Sequence, residues 1–235
     1  MRTVAETGST NADLIALARD GVPEGLWLRA ERQTAGRGRQ GRAWASPVGN
    51  LYASTIVRLR PADPAAATLA LVVAVAVEEA VSLFLPAQEP AGLALKWPND
   101  LLFDGAKLAG ILLERAGDAV VIGVGINLAD HPHDLVRPAT SLAAHAPAPD
   151  AALVLEALAD IFARWLARWR GEGIAPVRDR WMIRAHPPGT ALTARLPDGS
   201  SVDGLFDRLD ADGALILRLA DGTARVIHAG DVFLI

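Results

Sequence analysis

The longest apolar run in the chain, Ala65 to Val77, stops abruptly at Glu78 and Glu79. It falls short of the roughly 20 residues a helix needs to span a bilayer, and a helix that is apolar on all sides must be covered on all sides. The chain is therefore expected to wrap this segment in a core, with the helix opening after Pro61 to Pro64 and running to about Leu85. With 235 residues, 51% of them hydrophobic, there is material for one large domain and one small one. Met1 to Ser9 lacks the apolar core of a signal peptide, and the absence of cysteine removes disulfides, thiolate metal ligands and a cysteine nucleophile. A cytoplasmic location without membrane attachment is expected. The net charge of −4 disfavours a general nucleic-acid binder, yet Arg29, Arg32, Arg37, Arg39 and Arg42 gather positive charge locally, so their partner should be a small anion.

Ser9-Thr10-Asn11 stands where helix N-caps belong, ahead of the helically spaced Leu14, Ile15, Leu17 and Ala18. Leu26 to Ala30 and Leu51 to Val57 read as strands flanking a long irregular loop, Leu93 to Trp97 as a short strand, and Lys107 to Arg115 and Ala119 to Ile126 as a hairpin closed by Gly117-Asp118. The stretch from Ala129 to Pro149 has no period and is expected to be loop. Asp150 should cap a helix carrying Leu155, Leu158, Phe162, Trp165 and Trp169, stopped by Gly171 and Gly173. Beyond His186-Pro187-Pro188-Gly189 five short strands are separated by Asp198-Gly199, Asp212-Gly213 and Asp221-Gly222, which predicts a small SH3-like barrel. The expected division is a domain of residues 1–188 and a second of residues 189–235.

Three segments carry candidate chemistry. In Gly36-Arg37-Gly38-Arg39-Gln40-Gly41-Arg42-Ala43-Trp44, arginine forks alternate with glycines that let backbone approach a phosphate, and an indole ends the run. A solvated flexible loop is the competing reading. Lys96-Trp97-Pro98-Asn99-Asp100 combines a cation, an amide and a carboxylate, the assortment expected where phosphate and Mg²⁺ meet, although a simple bend with Trp97 in the core accounts for part of it. Lys107 follows the Asp104-Gly105-Ala106 turn and precedes Leu108-Ala109-Gly110, so a rigid strand holds it where glycine admits a ligand. An exposed strand-end lysine is the plainer alternative. Gly123-Val124-Gly125-Ile126-Asn127 ends an apolar strand with no helix after it, which rejects a dinucleotide fingerprint.

In this order, these motifs and Gln33-Thr34-Ala35 resemble those of biotin–protein ligases, over nearly the whole chain. The resemblance implies an α/β (α+β) catalytic domain, a mixed sheet packed by helices in the manner of class II aminoacyl-tRNA synthetases, followed by the small barrel. It implies an enzyme that joins biotin to ATP, releasing pyrophosphate, and passes biotin from biotinyl-5′-AMP to a lysine of a biotin carboxyl carrier protein, as for acetyl-CoA carboxylase. Ser9, Thr10, Asn11, Gln33, Arg37, Gly38, Arg39, Lys107 and Gly110 would hold biotin. Arg37, Arg39, Trp44, Lys96, Asn99, Asp100, Lys107 and Asn127 would hold ATP and the adenylate, with Lys107 and Arg39 catalytic and Asp100 helping to place Mg²⁺. A lipoate–protein ligase shares the fold and the adenylation, but the polar Ser9, Thr10, Asn11 and Gln33 suit a ureido pocket better than a long apolar channel. Two departures stand out: relatives often continue the glycine string as Ile-Asn-Val-Asn where this chain has Ile126-Asn127-Leu128-Ala129-Asp130, and no segment precedes the first strand in which the DNA-binding domain of some relatives could sit. A ligase without repressor activity or DNA partner is the expectation, and relatives suggest a homodimer formed through the catalytic sheet.

Overall fold

Alternating and continuous apolar runs build a seven-stranded sheet in the order β1-β2-β3-β7-β6-β5-β4. The computed structural model describes residues 1–86, 92–133 and 137–235. Residues 134–136, within the stretch expected to be loop, lie outside them. β1 (Arg2–Thr7) runs parallel to β2 (Trp27–Gln33), and every other pairing, through β3 (Leu51–Arg58), β4 (Leu93–Lys96), β5 (Asp100–Phe103), β6 (Ala106–Ala116) and β7 (Ala119–Ile126), is antiparallel. β3 and β7 lie inside the sheet with helices on both faces, so both are apolar along most of their length.

On one face, α1 (Thr10–Arg19) packs Leu14 and Ala18 onto Leu28, Ile56 and Val121. On the other lie α2 (Leu69–Ser82), α3 (Ala151–Glu172) and α4 (Ala175–Ile183). The apolar run does form a buried helix, but it starts at Leu69 after a 3₁₀ turn over Ala66–Thr68 and ends at Ser82. Its buried Glu78 receives Arg180 and Arg184, the latter at 2.8 Å, which a charge without solvent requires. α3 is capped by Asp150, which accepts the Ala152 amide at 2.6 Å. It passes through Gly171, expected to stop it, and ends before Gly173, whose φ of 80° breaks the helical path.

The last five strands, β8 (Ala191–Arg195), β9 (Ser201–Leu209), β10 (Leu215–Arg218), β11 (Ala224–Ile227) and β12 (Asp231–Leu234), occur where the Asp-Gly turns predicted them. They form an open antiparallel sheet in the order β11-β10-β9-β8-β12 rather than a closed barrel, because β11 and β12 do not pair with each other. This sheet packs against the catalytic one. Trp97 is buried and its indole N–H donates to Gly213 O at 3.1 Å, while Leu95 N–H donates to Arg184 O at 2.6 Å and ties the end of α4 to the edge strand β4. Among the described residues no helix is long and apolar enough to cross a membrane.

Candidate functional site

The N-terminus of α1, the Gly-Arg loop, the β4–β5 turn, the middle of β6 and β7 and the start of β12 converge on one cavity of about 440 Å³. Its two ends differ in chemistry.

One end is neutral and built around a buried hydroxyl that the sequence reading passed over. Ser54, in mid-β3 and fully buried, donates to Asn11 Oδ1 at 2.6 Å and lies 2.7 Å from Thr10 Oγ1. Gln33 Oε1 accepts the Thr10 backbone N–H at 2.9 Å, and Gln33 Nε2 donates to Ser46 Oγ, which in turn donates to Trp44 O. In the other direction Asn11 Nδ2 donates to Glu114 Oε2 at 2.8 Å, and Arg37 pairs with the same oxygen at 3.3 Å. A continuous hydrogen-bonded path therefore runs from Arg37 across the cavity floor to Trp44, holding the loop at both ends. The Ser9 hydroxyl, at the N-cap position, makes no capping hydrogen bond, and Ser9 instead lines the cavity.

The other end is cationic. Lys96 is buried, pairs with Asp100 Oδ2 at 3.0 Å and donates to Val232 O at 3.1 Å. Lys107 pairs with Asp100 Oδ1 at 2.5 Å and stands 5.4 Å from the Trp44 ring centre. Arg39 reaches Asn99 Oδ1 at 3.2 Å, Gly230 O at 3.3 Å and Asp231 at 3.4 Å, and Arg42 pairs with Asp231 at 3.1 Å. Burial pushes the Lys96 ammonium below its usual range despite the opposing pull of Asp100. The burial of Asp100 works to raise its carboxyl, but Lys107 and Lys96 together hold it below the usual carboxylate range.

Between the ends the sheet is scooped out. Gly110 and Gly125 are register partners on β6 and β7, and Trp44 lies in the bay they leave: a Cβ on Gly125 would stand 2.7 Å from the indole, one on Gly110 2.9 Å. The loop, expected to be irregular, folds back as a narrow hairpin, with Gly38 N–H donating to Arg42 O at 2.7 Å and Trp44 N–H to Gly36 O at 2.9 Å.

The cavity thus brings together Ser9, Thr10, Asn11, Gln33, Arg37, Gly38, Arg39, Trp44, Lys96, Asn99, Asp100, Lys107 and Gly110. Asn127, expected at the adenylate, is not among the residues lining it. Its Nδ2 is spent on Thr140 O at 3.0 Å and Lys107 O at 3.4 Å, so it braces residues 138–140 against β6. Asp100 is likewise no ready metal ligand, since an ammonium faces each carboxylate oxygen, and among the described residues no group of three His, Asp or Glu could hold an ion. Ser54, Glu114, Arg137, Asp231 and Val232 went unread. Glu114 alone left a trace, a charge in the apolar run Ile111-Leu112-Leu113-Glu114.

Residues 9–127 match the Biotin/lipoate A/B protein ligase family, and residues 191–235 the Biotin protein ligase C terminal domain. A Biotin--[acetyl-CoA-carboxylase] ligase of Paracoccus denitrificans is 41% identical over 98% of both chains. One of Mycobacterium tuberculosis is 39% identical over 97% of this chain and 86% of its own. Among solved structures, the biotin protein ligase from Aquifex aeolicus in complex with biotin and ATP superposes with a TM-score of 0.88 at 25% identity, covering 99% of this chain and 98% of that one.

Proposed function

The chain belongs to the biotin protein ligase family, and from that premise we propose how its cavity works as a biotin–[acetyl-CoA-carboxylase] ligase. The observation that carries the reading is the polarity of this cavity, neutral and hydrogen-bonding at the α1 end and cationic at the β12 end, with Lys107 between. The neutral end takes the ureido ring of biotin through Ser9, Thr10, Asn11 and Gln33. The biotin carboxylate then points at Lys107, with ATP beyond it, its adenine against Trp44 and its phosphates among Arg37, Arg39, Lys96, Asn99 and Asp100.

A carboxylate oxygen attacks the α-phosphorus, the bond from that phosphorus to the bridging oxygen of the β-phosphate breaks, and pyrophosphate leaves with the electron pair. Negative charge grows on the α-phosphate oxygens during this step. Lys107 and Arg39 are already fixed in place to meet it, Lys107 by Asp100 and Arg39 by Asn99 and Asp231, so little reorganisation is needed. The amine of a carrier lysine then attacks the acyl carbon, AMP departs, and the nitrogen loses a proton. Mg²⁺ would enter with the nucleotide and would supply charge neutralisation at its phosphates. Residues 1–188 act as the catalytic unit and residues 189–235 close the phosphate end of its cavity. The acceptor is a biotin carboxyl carrier protein, the setting is the cytoplasm, and self-association uses an edge of the catalytic sheet, where β1 is largely exposed.

Mass spectrometry of a purified carrier domain incubated with the protein, MgATP and either biotin or lipoate tests this. A mass increase with biotin alone is expected, and Lys107→Ala should slow biotin-dependent pyrophosphate release by about 10²-fold or more while leaving the fold intact. A mass increase with lipoate alone would reverse the substrate assignment.

A further inference from the structure

Five of the six basic side chains lining the cavity already face a carboxylate. Arg37 has Glu114, Arg39 and Arg42 share Asp231, and Lys96 and Lys107 share Asp100. The sixth, Arg137, differs. Among the described residues it has no acidic partner, and its guanidinium lies 3.9 Å from the ring centre of Phe233 on β12. Arg195 stands 5.1 Å from the same ring but does not line the cavity. A guanidinium held near an aromatic face keeps in-plane N–H groups available for oxygen atoms, an arrangement suited to a phosphate.

The backbone fixes where this group stands. Lys107 N–H donates to Pro138 O at 2.9 Å, Thr140 N–H donates to Lys107 O at 3.0 Å, and Ala139 bridges to Lys107, so residues 138–140 lie alongside the start of β6. Arg137 immediately precedes this splint, and Asn127 secures it from behind. On the opposite side Phe233 follows Val232, whose carbonyl takes the Lys96 ammonium. Arg137 is therefore anchored to the two elements that position the buried Lys96 and the half-buried Lys107. Its charge also contributes to lowering the Lys96 pKa.

We propose that Arg137 binds the β- and γ-phosphates of ATP and then the departing pyrophosphate, with Phe233 as the positioning residue that aims it. The inference rests on the ligase reading above and deepens it. The six basic groups of the lining face three acids, Glu114, Asp100 and Asp231, an excess that a biotin carboxylate and one α-phosphate do not balance but a polyphosphate does. Arg137 stands with Phe233 at the β12 end, while the neutral end is built from other residues, so biotin should not sense its loss. Through Phe233 the second sheet acquires a defined part in nucleotide binding.

Biotin-dependent exchange between ATP and labelled pyrophosphate, run on the whole protein, reads the site in both directions. Arg137→Ala should raise the KM for pyrophosphate and for ATP by about ten- to a hundredfold, the range for a lost charge-assisted hydrogen bond. The KM for biotin and the rate of transfer from supplied biotinyl-5′-AMP should stay within about twofold. Arg137→Lys should recover part of the pyrophosphate affinity, and Phe233→Leu should shift it in the same direction by less. An unchanged pyrophosphate KM in folded Arg137→Ala, or an equal rise in the KM for biotin, would overturn the assignment. Wild-type protein that shows no biotin-dependent exchange would sink the ligase reading itself, a separate result from a variant that matches an active wild type.

Discussion

Gly123→Ala is a stringent probe of the neutral end of the cavity. A Cβ at residue 123 would stand 2.3 Å from Asn11 Oδ1 and 2.9 Å from its Cγ, and Asn11 is buried and tied to Ser54 and Glu114 by hydrogen bonds that any displacement must strain. Restoring a carbon–oxygen contact of about 3.3 Å moves the amide by about 1 Å. The Ser54 bond of 2.6 Å and the Glu114 bond of 2.8 Å then stretch beyond hydrogen-bonding range. One neutral bond of about 1 kcal/mol and one charged bond of about 1.5–3 kcal/mol give a loss of about 2–4 kcal/mol. In a chain of this size that lowers the Tm by about 5–15 °C in differential scanning calorimetry. Because the same network aligns Thr10 and Gln33, the biotin Kd measured by titration calorimetry should rise at least about tenfold. Gly125→Ala is the comparison: its Cβ meets Trp44, a half-buried side chain on a loop that can lift, so stability should change by less than about 1 kcal/mol while the KM for ATP rises. A Gly123→Ala protein with wild-type Tm and wild-type biotin affinity would refute the network.

Two further outcomes follow from the loop and from the interface between the sheets. Trypsin should cut the free protein between Arg37 and Arg42, and biotin with MgATP should slow that cleavage several-fold; equal rates with and without substrates would count against a closing loop. His186, whose Nε2 is buried without a partner among the described residues, has its pKa lowered by burial and by Lys96. The unfolded chain therefore binds a proton here that the folded one resists, and folding stability should fall as pH drops below about 6.5, by at most about 1.4 kcal/mol per pH unit. Denaturant titrations across pH 5 to 7 should show a shallower slope for His186→Gln, and an unchanged slope would assign the acid sensitivity elsewhere.

Periodicity and turn chemistry made most of the fold legible. Asp104-Gly105 and Gly117-Asp118 marked real hairpins, and the three Asp-Gly turns separated the four strands from β8 to β11, since each signal is local and positive φ at the glycine is a local demand. Failures occurred where a tertiary partner decides. β5 was hidden because Asn99 and Asp100 look like turn formers, yet Asp100 pairs directly with Lys96 in the ladder. α4 carries only Val177 and Trp181 as buried residues, too few to print a helical stripe. Closure of the C-terminal strands into a barrel is a matter of edge pairing that no strand records by itself. The same division runs through the site. Lys107, Asp100 and the arginines were legible from charge set among glycines and apolar residues, whereas Ser54 and Asp231 matter only because folding brings them to residues far away in the chain.

The walls of the cavity are drawn from residues near position 9 and from residues near position 232, with contributions from most strands between. Contacts of such high sequence separation carry a large loop-closure cost and exist only once distant parts of the chain have met. A partly folded molecule that has closed the biotin floor still lacks Asp231 to hold Arg39 and Arg42, and lacks the Val232 carbonyl that positions Lys96. Synthesis of an acylating mixed anhydride therefore needs both sheets in place at once, and a molecule missing the second sheet lacks the partners that fix Arg39, Arg42 and Lys96.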